Sequence, residues 1–143
     1  MIPAYLRVAA LMCVSLLATA CGAPSVEVSD ARVRALLPDQ DKTVGYLRIS
    51  NPTSAPFTLS AASSPDVRAI EMHTTRRDGD VLRMRRLSSV EVPAGGEIVF
   101  ESGGHHLMLF GVGELGPQVE ITLTSSEGQA LTVNFDVVDP TQG

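Results

Sequence analysis

From about residue 44 onward the chain keeps a period of two, and this constrains its fold more than any other feature. "VEITLT" (119–124) sets Val119, Ile121 and Leu123 between polar residues; "LTVNFDV" (131–137) does the same with Leu131, Val133, Phe135 and Val137. "EIVF" (97–100) offers Ile98 and Phe100, and "VGYLRIS" (44–50) offers Val44, Tyr46 or Leu47, and Ile49. Side chains alternate across a strand, so such runs describe strands with one face buried. Between them lie turn-forming clusters: "NPTSAP", "RDGD", "PAGGE", "ESGG", "GELGP" and "SSEGQ". Short strands at this spacing predict an all-β domain, a Greek-key barrel or sandwich. No segment of the exported part has the spacing of a helix.

The first twenty residues differ in kind. "MIPAYLRVAALMCVSLLATA" has one charge, Arg7, then an apolar run from Val8 to Ala18, then small residues. That is the pattern of a secretory signal peptide, and it is shorter than the ~20 apolar residues a comfortable membrane span needs. Cys21 and Gly22 follow, and "LATAC" resembles a bacterial lipobox, with Ala18 where leucine is usual. The expectation is a signal peptide over 1–20, lipidation at Cys21, and a single domain over 22–143 that begins with a short tether. The protein would then be exported, periplasmic or at the cell surface, and anchored to a membrane by lipid. Cys13 leaves with the signal peptide and Cys21 carries lipid, so the domain has no thiol for a disulfide, a zinc site or a nucleophile. A core alone must hold it, and ~120 residues suffice for one.

Net charge is −5, which suggests no nucleic-acid partner. The charge is uneven, because Arg76, Arg77, Arg83, Arg85 and Arg86 crowd eleven positions. They read as the solvated rim of a hairpin, or as a docking patch for an acidic partner. No "GxSxG" elbow and no nucleophile with a positioned base is present, and the protein is expected not to be an enzyme.

Histidine and methionine are clustered. Beyond residue 20 the methionines are 72, 84 and 108 and the histidines 73, 105 and 106, all inside one 37-residue window. In "MHTTRRDGDVLRM" (72–84) the Asp-Gly pair signals a two-residue hairpin turn. With Asp78 and Gly79 at its centre, a type I′ turn would set His73 directly opposite Met84. In "GGHHLML" (103–109), His106 and Met108 share one strand face while His105, Leu107 and Leu109 take the other. Two pairs, each an imidazole and a thioether, can make a site with two nitrogens and two sulfurs. Thioether is soft and neutral; with imidazole it selects Cu(I) over Zn²⁺, Ca²⁺ or Mg²⁺. Met72 should face away from His73 into the core, and Glu71 shares His73's face as a supporting partner. A blue-copper site is excluded because it needs a cysteine thiolate.

The spacing from His73 to Met84, His106 and Met108 reads H-X10-M-X21-H-X-M, and "GYLRISN", "EMH", "LRMRRL" and "VPAGG" surround it. In these features the chain resembles the PCu(A)C family of periplasmic copper chaperones, from about Val26 to Val138. The resemblance implies a cupredoxin-like β-barrel binding one Cu(I) through His73, Met84, His106 and Met108. It further implies delivery of copper to the CuA centre of cytochrome c oxidase, alongside a Sco-type thiol protein. Many members carry a His- and Met-rich C-terminal extension linked with Cu(II); this sequence closes on "DPTQG", and no second site is expected. The alternative is a metal-free β-sandwich lipoprotein acting as a protein-binding module.

Overall fold

The computed structural model describes residues 22–141. The expected signal peptide and the lipidation position Cys21 lie outside the described residues. Ten strands follow in order: β1 (Glu27–Arg34), β2 (Lys42–Asn51), β3 (Phe57–Ser63), β4 (Val67–Asp78), β5 (Val81–Leu87), β6 (Val90–Val92), β7 (Gly96–Phe100), β8 (His105–Val112), β9 (Gln118–Ser125) and β10 (Ala130–Val138). Among the described residues there is no helix. The all-β expectation holds, and the alternating runs fall inside β2, β7, β9 and β10.

All ten strands join in one sheet, ordered β5-β4-β8-β7-β2-β1-β10-β9-β3-β6, with β8 also paired to β2. β1 and β10 run parallel through Arg32 opposite Asp136 and Val33 opposite Val137. One face of the sheet encloses the core. Phe100, Phe135, Leu47, Ile49, Leu59, Leu107, Leu109, Ile121 and Leu123 are fully buried there. Both Tyr46 and Leu47 are buried, although they are neighbours in one strand. Near the end of the described residues, Arg34 donates from Nε to the Pro140 carbonyl at 3.1 Å.

Two strands with opposite settings carry the histidine and methionine cluster together with β4. β8 is hydrogen-bonded on both sides, to β4 along one edge and β2 along the other. β5 has β4 as its one neighbour and ends the sheet.

Candidate metal centre

The site grows from three adjacent strands. Across β4 and β8, Glu71 faces Met108, His73 faces His106 and Thr74 faces His105. In the middle of β4, Ile70, Met72 and Thr74 turn to the core, with Ile70 opposite Leu109 and Met72 opposite Leu107. Glu71, His73 and Thr75, with His106, Met108 and Phe110 of β8, occupy the other face. The strand-face assignments made from sequence therefore stand, including Met72 in the core. His105 lies on the face away from His106, half-buried, with its ring 5.7 Å from Phe100.

The hairpin register requires a correction. Asp78 pairs with Val81, so the turn is Gly79–Asp80, not Asp78–Gly79. Thr75 then opposes Met84, and His73 opposes Arg86 instead of Met84. The cause is backbone conformation. A type I′ turn centred on Asp78 and Gly79 would force Asp78 to positive φ, whereas here Gly79 carries it (φ 63°) and Asp78 stays extended. Positive φ at the first central residue alone, with glycine there, is the type II′ pattern. Moving the centre by one residue slides the pairing by two, which preserves strand faces. His73 and Met84 thus remain on one side, as diagonal rather than direct neighbours, about 7–8 Å apart at the backbone.

The two imidazoles lie side by side, with ring centroids 5.8 Å apart and planes tilted by 48°. Each has one nitrogen committed and one left over. His73 Nε2 sits 2.9 Å from Glu71 Oε2. The hydrogen bond from His73 holds the Glu71 carboxyl below its ordinary pKa, with nearby Arg86 adding to it. A carboxylate only accepts, so in the neutral ring Nε2 carries the proton and Nδ1 keeps its lone pair. His106 Nδ1 lies 3.2 Å from the Gly104 carbonyl, which likewise only accepts, leaving the lone pair on Nε2. These two lone-pair nitrogens, His73 Nδ1 and His106 Nε2, are buried and have no hydrogen-bond partner; His105 Nδ1, on the opposite face, is a third such nitrogen. An unpartnered buried acceptor costs about 1–3 kcal/mol, so the pair is a standing cost that a bound metal would relieve.

The glycines before the histidines now have a reason. Gly103 takes φ 79°, closing a turn in which Gly104 N–H donates to Glu101. The Gly104 carbonyl accepts from Thr75 N–H at 3.0 Å as well as from the His106 ring. One carbonyl therefore docks β4 to the start of β8 and sets the His106 tautomer. Sequence reading missed this carbonyl; the doubled glycine was its signal.

The thioethers differ in exposure. Met108 is half-buried and also lines an open cavity of about 390 Å³ with Val44, Lys42 and Leu37. Met84 is 61% exposed. Phe110, with its ring 6.5 Å from His73, walls the β8 side. Among the described residues no three of His, Cys, Asp and Glu gather into a metal-holding group. The donors on offer are two imidazole nitrogens and two sulfurs, a soft set that fits Cu(I) better than zinc or a hard ion.

The fold is that of a PCuAC domain. It matches the copper-bound PCuAC domain from PmoF2 with a TM-score of 0.70 at 20% identity, over 83% of this chain and 97% of that one. Apo-DR1885 from Deinococcus radiodurans matches at 28% identity with a TM-score of 0.63, over 100% of this chain and 97% of that one. The Cu(I) form of DR1885 matches at 27% identity with a TM-score of 0.61, over 84% and 80%. Residues 26–137 match the family described as "Putative lipoprotein LpqE-like", and the chain belongs to that family. A relative in Leifsonia xyli subsp. xyli, named "Putative lipoprotein Lxx21020", is 28% identical over 121 residues, 82% of this chain and 72% of its own length.

Proposed function

We propose that this protein is an extracytoplasmic copper chaperone that binds one Cu(I) through His73, Met84, His106 and Met108 and hands it to another protein. The observation that carries the reading is the pair of buried, unpartnered lone-pair nitrogens on facing strands, with a thioether on either flank. The likeness to solved structures named as copper-bound supports it. A lipid on Cys21 would keep the protein at a membrane, in keeping with the lipoprotein relatives. The acceptor we favour is the CuA-bearing subunit of cytochrome c oxidase, alongside a Sco-type thiol protein, by resemblance to the wider family. No catalytic step belongs to this reading: Cu(I) is cargo, and its oxidation state does not change on transfer.

The chain's own residues divide the work. Glu71 and the Gly104 carbonyl hold the two rings in complementary tautomers, so that each offers a lone pair without a proton to lose. Met108 adds a sulfur from a strand fixed on both sides. Met84 adds one from an exposed edge, where a donor from another protein can replace it.

The test is an anaerobic Cu(I) competition titration against a chromogenic chelator, beside His106→Ala. One tight equivalent, lost in the variant, is the expected result. No competition by the wild-type protein would leave the metal-free protein-binding module as the better account.

A further inference from the structure

The outer arm of the β4–β5 hairpin is unlike the rest of the surface. Residues 76–86 hold five arginines against Asp78 and Asp80, a surplus of three positive charges on a chain whose net charge is −5. Among the described residues, Arg83 pairs with Asp78 at 3.2 Å and Arg86 with Glu71 at 3.6 Å, while Arg76, Arg77 and Arg85 have no acidic partner. Val81, Leu82 and Met84 are three of the four large apolar side chains that lie open among the described residues, at 53%, 63% and 61% exposure. The pairing of Arg77 with Leu82, Thr75 with Met84 and His73 with Arg86 puts Arg77, Leu82, Met84 and Arg86 on the side of the metal donors.

Charge on an edge strand commonly guards against edge-to-edge pairing. That accounts for the arginines but not for an uncovered leucine and methionine between them. Arginine and methionine around an apolar centre is the composition of protein interfaces, where the charges steer encounter and the apolar centre holds. A negatively charged membrane fits less well, since the tip, Asp78-Gly79-Asp80, would meet it with two carboxylates foremost.

We propose that Arg77, Leu82, Met84 and Arg86 form the docking surface for an acidic copper-accepting protein, which covers Leu82 and meets the metal at Met84. This rests on the copper-chaperone reading and gives that site its partner's chemistry. The probes are two synthetic Cu(I)-binding peptides with one ligand loop, flanked by glutamates in one and lysines in the other, and vesicles rich in phosphatidylglycerol. Cu(I) uptake is measured first, and stopped-flow transfer from the loaded protein second. Expected is transfer to the glutamate peptide at least about tenfold faster than to the lysine peptide. The advantage should shrink as salt shortens the screening length from ~30 Å at 0.01 M to ~8 Å at 0.15 M. Arg77→Glu should remove most of it with Cu(I) affinity unchanged. Arg32→Glu, the same charge change beside Tyr46 on β1, should leave most of it. Equal effects of the two substitutions, or no preference between the peptides, would overturn the docking surface while leaving Cu(I) binding in place. So would arginine-dependent binding to the vesicles without a peptide preference. A protein that takes up no Cu(I) would instead bring down the chaperone reading, and a copper-accepting partner with it.

Discussion

β8 and β5 each bring sulfur to the same face, from opposite mechanical circumstances. β8 is paired along both edges; its His106 is 4% exposed and its Leu107 and Leu109 are completely buried. β5 is paired along one edge, and every side chain from Val81 to Arg86 is exposed. A rigid strand supplies donors that cannot move away, and a loose one supplies a donor that can. A carrier needs both kinds, because retention and release make opposite demands on the same ion. The difference teaches that retention should reside in β8 and release in β5.

The largest expected effect is that of His106→Ala. Losing a proposed ligand from the doubly paired strand should lower Cu(I) affinity by more than the ~10–100-fold that loss of a supporting partner costs. A loss below tenfold in the chelator titration would end the claim that β8 retains the ion. Glu71→Gln should fall within that ~10–100-fold range, because an amide cannot hold His73 Nε2–H as a carboxylate does. Nitrogen NMR shifts of the His73 ring should report mixed tautomers; an unchanged tautomer would show that Glu71 is a bystander.

The thioethers sharpen the comparison. Met108→Leu should cost about tenfold in affinity, ~1.4 kcal/mol, and less than ~1.5 kcal/mol in stability, since leucine is close to methionine in volume. Met84→Leu should cost less affinity but speed capture of Cu(I) by a chelator, with stability changed by under ~0.5 kcal/mol. Chemical denaturation separates the roles: unfolding midpoints dropping sharply in either variant would mark that methionine as packing.

pH provides a smaller, graded test on the metal-free protein. Burial lowers the His106 pKa below its ordinary 6.5, and the neighbouring His73 and His105 add to this. Below 6.5 the unfolded chain therefore binds more protons than the folded one. The contribution of His106 to stability is full above that value and is lost as pH falls through its lower folded-state pKa. Urea midpoints should decline on acidification, and His106→Ala should flatten the decline; parallel curves for the two proteins would refute it. The smallest effect belongs to His105→Ala, whose ring packs on Phe100 and faces away from the donors. Its Cu(I) affinity should match wild type within about twofold, well under 1.4 kcal/mol, and a loss equal to that of His106→Ala would undo the strand-face assignment.

Much of this was legible in the sequence because alternation is a property of single strands. β2, β7, β9 and β10, the core positions of Leu107 and Leu109, and the shared face of His73, Met84, His106 and Met108 all come from counting by two. β1, β3 and β6 did not show themselves. The register of β1 shifts between Ser29 and Arg32, where Asp30 takes φ 53°. β3 is largely small and polar residues, and three residues of β6 cannot establish a period. The hairpin register was illegible because "DG" suits two turn types, and only the backbone at Asp78 decides between them. The unequal burial of His106 and Met84 was hidden for a deeper reason: exposure depends on how many neighbours a strand acquires, which no local pattern encodes.

That the residues from Val81 to Arg86 send no side chain into the core has a consequence for how such proteins diverge. Substitutions in this stretch, Met84 included, are nearly free of folding constraint; what holds Met84 is its proposed place as a sulfur donor. On the chaperone reading, its charges and apolar spots can be rewritten to suit a new recipient while the proposed donors on β4 and β8 stay as they are. The hairpin would then work as an interchangeable address label on a fixed container. Grafting the arm of one relative onto another should redirect the delivery without touching the cargo.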